Sequence, residues 1–204
     1  MDLNLNDELD FVKNKYKVIH NFIEKDFVYF IQDYYSLKIN SNSNDIDSSK
    51  FSYGYKFYSD HLMETVLQNS CDTISEIIKE NLFPTCSLTN FYMKGDSFIN
   101  VKKPSYEISA ILSLGNSNDF KSSPIFLSKN KNSSNLIEIN LNPGDLLIYK
   151  NLDLLCWREP IQHKWVLESI LNFVISDGPN KTNIYDERPY LGFNKQTENT
   201  IGEN

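Results

Sequence analysis

The most constraining feature of the sequence is an alternation of apolar and polar side chains over residues 106–114. Successive side chains of a β-strand point to opposite faces, so a period of two predicts a half-buried strand. One face of this strand carries Tyr106, Ile108, Ala110, Leu112 and Leu114, and the other carries Glu107, Ser109 and Ser113. An aromatic segment with a turn at Gly95 and Asp96 precedes it, and Pro104 closes the intervening loop. The chain is therefore predicted to be organised around a sheet.

The second half of the chain continues as strands joined by turns. Candidate strands lie at 88–93, 106–114, 124–128, 136–141, 145–150 and 164–175. Within residues 142–145, Pro143 and Gly144 occupy the two central positions, as a type II turn prefers. Several short strands joined by short turns predict a barrel or a double-sheet jelly roll.

The first half of the chain is predicted to be mostly helical. A short strand at 16–19 precedes a helix over 22–37, for which Asn21 is the candidate cap. Residues at helical spacing form an apolar stripe that is predicted to pack against a sheet. The stripe consists of Ile23, Phe27, Phe30, Ile31 and Tyr34.

A second helix is predicted after a polar loop at 41–49 and an aromatic strand at 51–58. Either Ser59 or Asp60 can cap this helix, which extends towards Asn81. Two helices followed by many strands predict an α+β fold in which the N-terminal helices pack on one face of a sheet.

Length and charge restrict the organisation and the function of the chain. Its 204 residues are predicted to form one domain at 16–192, with a polar N-terminal extension at 1–15 and a flexible tail at 193–204. A net charge of −7 and the lack of a Lys/Arg cluster argue against a general nucleic-acid binder. No apolar run in the sequence has the length of a membrane span.

The cysteine pattern favours a reducing compartment. Cys71, Cys86 and Cys156 are odd in number and share no spacing typical of a metal site. We therefore expect free thiols in a cytoplasmic protein without a secretory signal.

Six segments together carry a resemblance to a known family. They are residues 58–65, 92–95, 104–109, 143–149, 157–160 and 178–192. In this order they resemble the Fe(II)- and 2-oxoglutarate-dependent oxygenases, in the prolyl-hydroxylase-like branch of bacteria and phages. The resemblance covers about residues 16–192 and implies a distorted double-stranded β-helix, a cupin-like jelly roll with supporting helices.

The resemblance also implies where iron ligands would lie. The family holds Fe(II) with two histidines and one carboxylate, and these positions match Asn100, Lys102 and Cys156 here. An amide oxygen is a weak neutral donor, and an ammonium group has no lone pair. The only histidines are His20, His61 and His163, so no shifted alignment supplies the first ligand. The chain is therefore predicted to keep the scaffold of the family site but to lack its metal ion.

Three further residues are matched to a ligand pocket by the same resemblance. Tyr92 corresponds to the tyrosine that hydrogen-bonds the 2-oxoacid, although it also fits an ordinary aromatic position on a barrel strand. Lys164, with Arg158 behind it, is the candidate partner for the far carboxylate. Lys102 is either a buried cation in the former metal position or a solvated loop lysine.

Three functions stay open at this point. The first is a pseudoenzyme without cofactor that binds a protein partner or a small acidic ligand. The second is an active dioxygenase that uses Fe(II) and 2-oxoglutarate with non-standard ligands. The third is a thiol enzyme with Cys156 as nucleophile and His163 as base, opposed by the interpretation that Cys156 is an inert core residue.

Overall fold

Two antiparallel sheets, two long helices and a 3-10 helix at Lys181–Glu187 make up the fold in the computed structural model, which describes residues 11–41, 54–100, 106–117, 123–130 and 135–193. Helix α1 is Lys25–Asn40 and helix α2 is His61–Ile78. The strands are β1 (Tyr16–Ile19), β2 (Tyr55–Tyr58), β3 (Leu82–Met93), β4 (Phe98–Asn100), β5 (Ile108–Asn116), β6 (Ile125–Ser128), β7 (Ile137–Ile139), β8 (Leu146–Lys150), β9 (Leu155–Arg158) and β10 (Trp165–Ile175). The larger sheet has the order β1-β8-β5-β10-β3-β2, and the smaller sheet has the order β4-β9-β6-β7.

The helices cover one face of the larger sheet. Apolar side chains of both helices pack with side chains of β3, β5 and β10 to form the outer core. Its buried members include Ile31, Tyr35, Met63, Leu67, Ile74, Ile108, Ala110, Leu112 and Leu114. The predicted α+β order, with helices on one sheet, is confirmed.

The second core lies between the two sheets. The larger sheet contributes Ile111, Leu147, Tyr149 and Ile170, and the smaller sheet contributes Ile125, Leu127, Ile139 and Cys156. Strand β5 is therefore buried on both faces, and Ser109 and Ser113 are buried as well. The prediction of a half-buried strand is wrong. An alternation of apolar and polar residues in the sequence does not show whether a second sheet covers the more polar face.

The apolar face of α1 matches the predicted stripe only in part: Ile23, Ile31 and Tyr34 pack in or against the outer core. Phe27 and Phe30 are 37% and 57% exposed, whereas Val28, Ile31 and Tyr35 are buried. The Tyr35 hydroxyl donates to Thr89 Oγ1 on β3 over 2.9 Å, which fixes this face against the sheet. The contact with the sheet therefore buries the side of the helix that carries Val28, Ile31 and Tyr35 and leaves Phe27 and Phe30 exposed.

The predicted N-cap of helix α1 is wrong, and that of helix α2 is confirmed. Helix α1 begins after Glu24 rather than Asn21. At α2 the Asp60 carboxylate accepts the Leu62 backbone N–H over 3.0 Å, as an N-cap does. The same carboxylate accepts from Tyr34 and Lys38 of α1, so the cap also joins the two helices.

The turn at 142–145 is confirmed. Gly144 has a φ of +94°, and the Asp145 N–H donates to the Asn142 carbonyl over 3.0 Å. The buried Asp145 carboxylate accepts backbone N–H groups of Asn142 and Asn21. Burial alone would raise the pKa of Asp145, but these hydrogen bonds outweigh it and lower the pKa.

Strand β10 is the central element, pairing with β3 on one side and β5 on the other. Its pairing with β5 shifts register between Leu167 and Glu168, which marks a β-bulge. On β5, Gly115 lies opposite Leu167 and Ser113 lies opposite Glu168, so Leu114 is the extra residue.

Each of the candidate strands from 88–93 to 164–175 corresponds to an observed strand with shifted ends. Strands β4 and β9, of three and four residues, were not among the predicted strands. The loop predicted at 41–49 lies outside the described residues beyond Ser41, and the domain boundaries at 16 and 192 stay predictions. No helix among the described residues combines the length and the apolar character needed to cross a bilayer.

The C-terminal segment is fastened to the body by Arg188. Its Nη2 donates to Glu64 Oε1 over 2.7 Å, and its Nη1 donates to Glu64 Oε2 over 3.2 Å. It also donates to the carbonyls of Thr85 and Tyr185. The backbone N–H of Gly192 adds a further donor to Glu64, so α2, β3 and this segment share one buried carboxylate.

Three consecutive residues of this segment are left-handed. Tyr185, Asp186 and Glu187 have φ values of 56°, 55° and 60°. Such a conformation costs a non-glycine residue roughly 1–2 kcal/mol. The hydroxyls of Tyr58 and Tyr106 donate to the Asp186 carboxylate and help to hold it in place.

Candidate functional site

A buried ionic network spans the space between the two sheets. Glu168 on β10 is 0% exposed, and Arg158 on β9 is 4% exposed. The Tyr92 hydroxyl donates to Glu168 Oε1 over 2.8 Å. Arg158 Nε donates to Glu168 Oε2 over 3.0 Å, and Nη2 donates to the same oxygen over 2.5 Å. Both carboxylate oxygens are thus occupied by groups of the chain itself.

Strand register explains how these three side chains meet. Glu168 lies opposite Asn90 of β3, and Tyr92 shares the Asn90 face because side chains alternate along a strand. Arg158 ends β9 in the smaller sheet and reaches across to the larger one. Its Nη1 also donates to the carbonyl of Ser123, which anchors the guanidinium.

The electrostatics keep Tyr92 as a hydrogen-bond donor. Burial, and then the charge of Glu168, raise the pKa of Tyr92 well above its usual range. The phenol is therefore protonated at neutral pH and suited to a carboxylate acceptor. A buried carboxylate requires such compensation, and Arg158 supplies the opposite charge.

Asn90 lies beside this network with its amide unsatisfied. It is fully buried, and within the described part of the chain neither its Oδ1 nor its Nδ2 has a hydrogen-bond partner. Buried side-chain amides are usually hydrogen-bonded in native proteins. Asn90 lies opposite Glu168 in the pairing of β3 with β10. Its unpaired amide atoms therefore lie next to a carboxylate whose two oxygens are both hydrogen-bonded.

The matched iron positions are brought together in part. Asn100 and Cys156 are register partners on β4 and β9 of the smaller sheet. Cys156 is buried, and its side-chain hydrogen-bond partner is Tyr149 rather than His163. Lys102 lies outside the described residues, so both hypotheses for its ammonium group stay untested.

Cys156 is expected to resist alkylation by iodoacetamide in the native protein at pH 8 and to react after unfolding in urea. Burial, and then the charge of Glu168, raise its pKa to about 12, so little thiolate forms. A thiol pKa raised in this way stabilises the fold below pH 9, and that contribution is lost as the pH rises towards 12. Mass spectrometry of the labelled protein measures the reaction, and rapid native labelling would favour the thiol-enzyme interpretation.

The predicted ligand pocket is assembled only in part. Tyr92 and Arg158 meet through Glu168, whereas Lys164 is exposed and its backbone N–H donates to Ser117 Oγ over 2.9 Å. Sequence reasoning missed Glu168. A single acidic residue within the apolar strand predicted at 164–175 was the available signal.

The histidines lie on separate elements, and none is buried. His20 has 66% side-chain exposure and lies 3.0 Å from the Asp145 carboxylate. His61 is exposed at the start of α2, and His163 is partly exposed between β9 and β10. Among the described residues, no cluster of three His, Cys, Asp or Glu side chains is arranged to hold a metal ion.

Solved structures of very different sequence share this architecture. A prolyl-4-hydroxylase from Pseudomonas putida aligns with a TM-score of 0.60 at 9% identity, over 82% of this chain and 97% of that one. An oxidoreductase of the 2OG-Fe(II) oxygenase family from Burkholderia pseudomallei gives 0.65 at 9%, over 89% and 96%. HygX from Streptomyces hygroscopicus, with nickel and 2-oxoglutarate bound, gives 0.63 at 9%, over 86% and 88%.

These likenesses show the fold: the chain is a double-stranded β-helix like that of Fe(II)/2-oxoglutarate oxygenases. No family model matches the sequence, and no curated protein matches it. Fold alone does not determine activity, so the function must be argued from the residues of the site.

Proposed function

We propose that this protein is a non-catalytic relative of the Fe(II)/2-oxoglutarate oxygenases that acts by binding another protein. The placement of the histidines carries the proposal. A facial triad needs two histidines and a carboxylate on one side of a metal. His61 begins α2, His20 follows β1 and His163 lies between β9 and β10, and none of the three is buried.

The residues between the sheets do not suit Fe(II). The carboxylate of Glu168 is already neutralised by the guanidinium of Arg158, whose positive charge repels a dication. Cys156 is a neutral thiol at physiological pH because burial raises its pKa to about 12. A neutral thiol and an unpaired amide at Asn90 are poor ligands for ferrous iron.

Two observations favour a protein partner over a small acidic ligand. Glu168 already occupies the donors of Tyr92 and Arg158 that an acid would need. The outer face of α1 carries Phe27 and Phe30, stacked with ring centroids 6.1 Å apart and both exposed. Exposed aromatic groups of this kind favour protein contacts. Free cysteines throughout fit a cytoplasmic location.

Titration of the purified protein with Mn(II) and 2-oxoglutarate, together with a succinate-release assay under Fe(II) and ascorbate, tests the proposal. We expect no stoichiometric metal binding and no succinate. One equivalent of metal bound in a 2-oxoglutarate-dependent manner, with succinate release, would establish the active dioxygenase instead.

A variant that restores the family ligand types provides the matched comparison. N100H/K102D/C156H places two histidines and a carboxylate at the matched positions, two of which are register partners. It is expected to gain Mn(II) binding that the wild type lacks. Equal binding by both proteins would contradict the assignment of these positions.

A further inference from the structure

The contacts of Glu168 are those of a bound carboxylate. One oxygen accepts a tyrosine hydroxyl over 2.8 Å, and the other accepts two nitrogens of Arg158. A guanidinium fork combined with a hydroxyl donor is a strong arrangement for recognising a carboxylate in a dry environment. The donors come from β3 and β9, and the acceptor comes from β10.

The donors are held independently of the carboxylate that they bind. Tyr92 packs with Phe98, Ile161 and Val166 in a small apolar cluster. Arg158 is anchored by the carbonyl of Ser123 as well as by Glu168. A binding site whose donors are positioned by other contacts persists when its carboxylate is removed. The donor of an ordinary surface ion pair has no such support.

We propose that Tyr92 and Arg158 form a carboxylate-binding site and that Glu168 fills it as an intramolecular ligand. The native chain consequently excludes small acids from this site, and loss of the Glu168 carboxylate opens it to a short monocarboxylate from solution. The amide of Asn90, buried opposite Glu168 without a partner among the described residues, supplies a further donor for such a ligand.

The size of the ligand follows from the chemistry of the substitution. Glu168→Ala removes one methylene group and the carboxylate, and acetate has nearly the same atoms. Acetate at ten times its Kd favours the folded variant about 11-fold. For a chain of this size, that factor raises Tm by about 3–6 °C. Benzoate is too large for the vacated space and is expected to give no specific gain.

The experiment measures Tm of Glu168→Ala in sodium acetate and in sodium chloride of equal ionic strength. We expect an acetate-specific rise in this variant and none in the wild type, where Glu168 occupies the donors. Should the variant fail to fold in chloride, the yield of refolding from urea in acetate and in chloride replaces the melting measurement.

Two matched variants define the outcome. R158M/E168A lacks the cation and is expected to show no acetate-specific gain, and Glu168→Gln fills the site with an amide and is expected to behave likewise. An E168A protein indifferent to acetate in both melting and refolding would overturn the proposal, as would an equal gain in R158M/E168A. Neither readout depends on metal binding or turnover, so failure here is distinct from failure of the proposed function.

Discussion

Replacing Arg158 by methionine is expected to lower the free energy of unfolding by about 3–5 kcal/mol, the usual cost of leaving one partner of a buried ion pair uncompensated. Glu168 is 0% exposed, so its carboxylate would be left buried without its counter-charge. Methionine retains most of the length of the arginine side chain but none of its donors. Urea denaturation measured by circular dichroism gives the change.

A triple variant separates charge from packing in this prediction. R158M/E168L/Y92F replaces the guanidinium, the carboxylate and the phenol hydroxyl of the network by apolar groups. Apolar replacement of a complete buried ion pair is often neutral or stabilising, so most of the loss is expected to be recovered. A loss below about 1 kcal/mol for R158M alone would mean that Glu168 reaches water, since exposed ion pairs contribute at that level.

Replacing Arg188 by methionine is expected to cause a loss of similar size, about 3–5 kcal/mol, for the same electrostatic reason. Glu64 has 2% side-chain exposure and would lose both guanidinium contacts. Tyr185, Asp186 and Glu187 keep their left-handed backbone only while the segment is fastened. Urea denaturation measures the global change, and limited trypsin proteolysis followed by mass spectrometry reports whether the segment detaches.

Two comparisons test the origin of that effect. E64Q/R188M removes the uncompensated charge and keeps an acceptor for the Gly192 N–H, so it is expected to recover part of the stability. Lys181→Ala changes an exposed residue of the same segment and is expected to stay within about 0.5 kcal/mol of wild type. Unchanged proteolysis in R188M would show that other contacts hold the segment.

Local patterns predicted the elements better than the faces they present. The candidate strands and the Gly144 turn were recovered because alternation and turn chemistry are local properties. The buried face of α1 was recovered only in part: Ile31 is buried as predicted, whereas Phe27 and Phe30 are exposed because contact with the sheet decides which part of an apolar stripe is covered. Strands β4 and β9 were not predicted, although β7 and β6, of the same two lengths, were.

Two residues of the candidate site were singled out from the sequence, but the residue that joins them was not. Tyr92 and Arg158 were singled out from the resemblance, and the fold brings them together. The residue that joins them, Glu168, looks in sequence like any solvent-facing acid on a strand. Whether an acidic side chain faces water or the space between two sheets depends on the second sheet, which a one-dimensional pattern does not contain.

The bulge between Leu167 and Glu168 has a consequence for how the gene can change in length. It absorbs one residue of β5, so the portions of that strand on either side of Leu114 are out of phase with each other. Deletion of a single codon there would shift one of these portions by one residue. Its inward-facing and outward-facing side chains would then change places. Natural length variation among relatives is therefore expected to concentrate in the connections between strands, leaving the codon count of β5 and β10 constant.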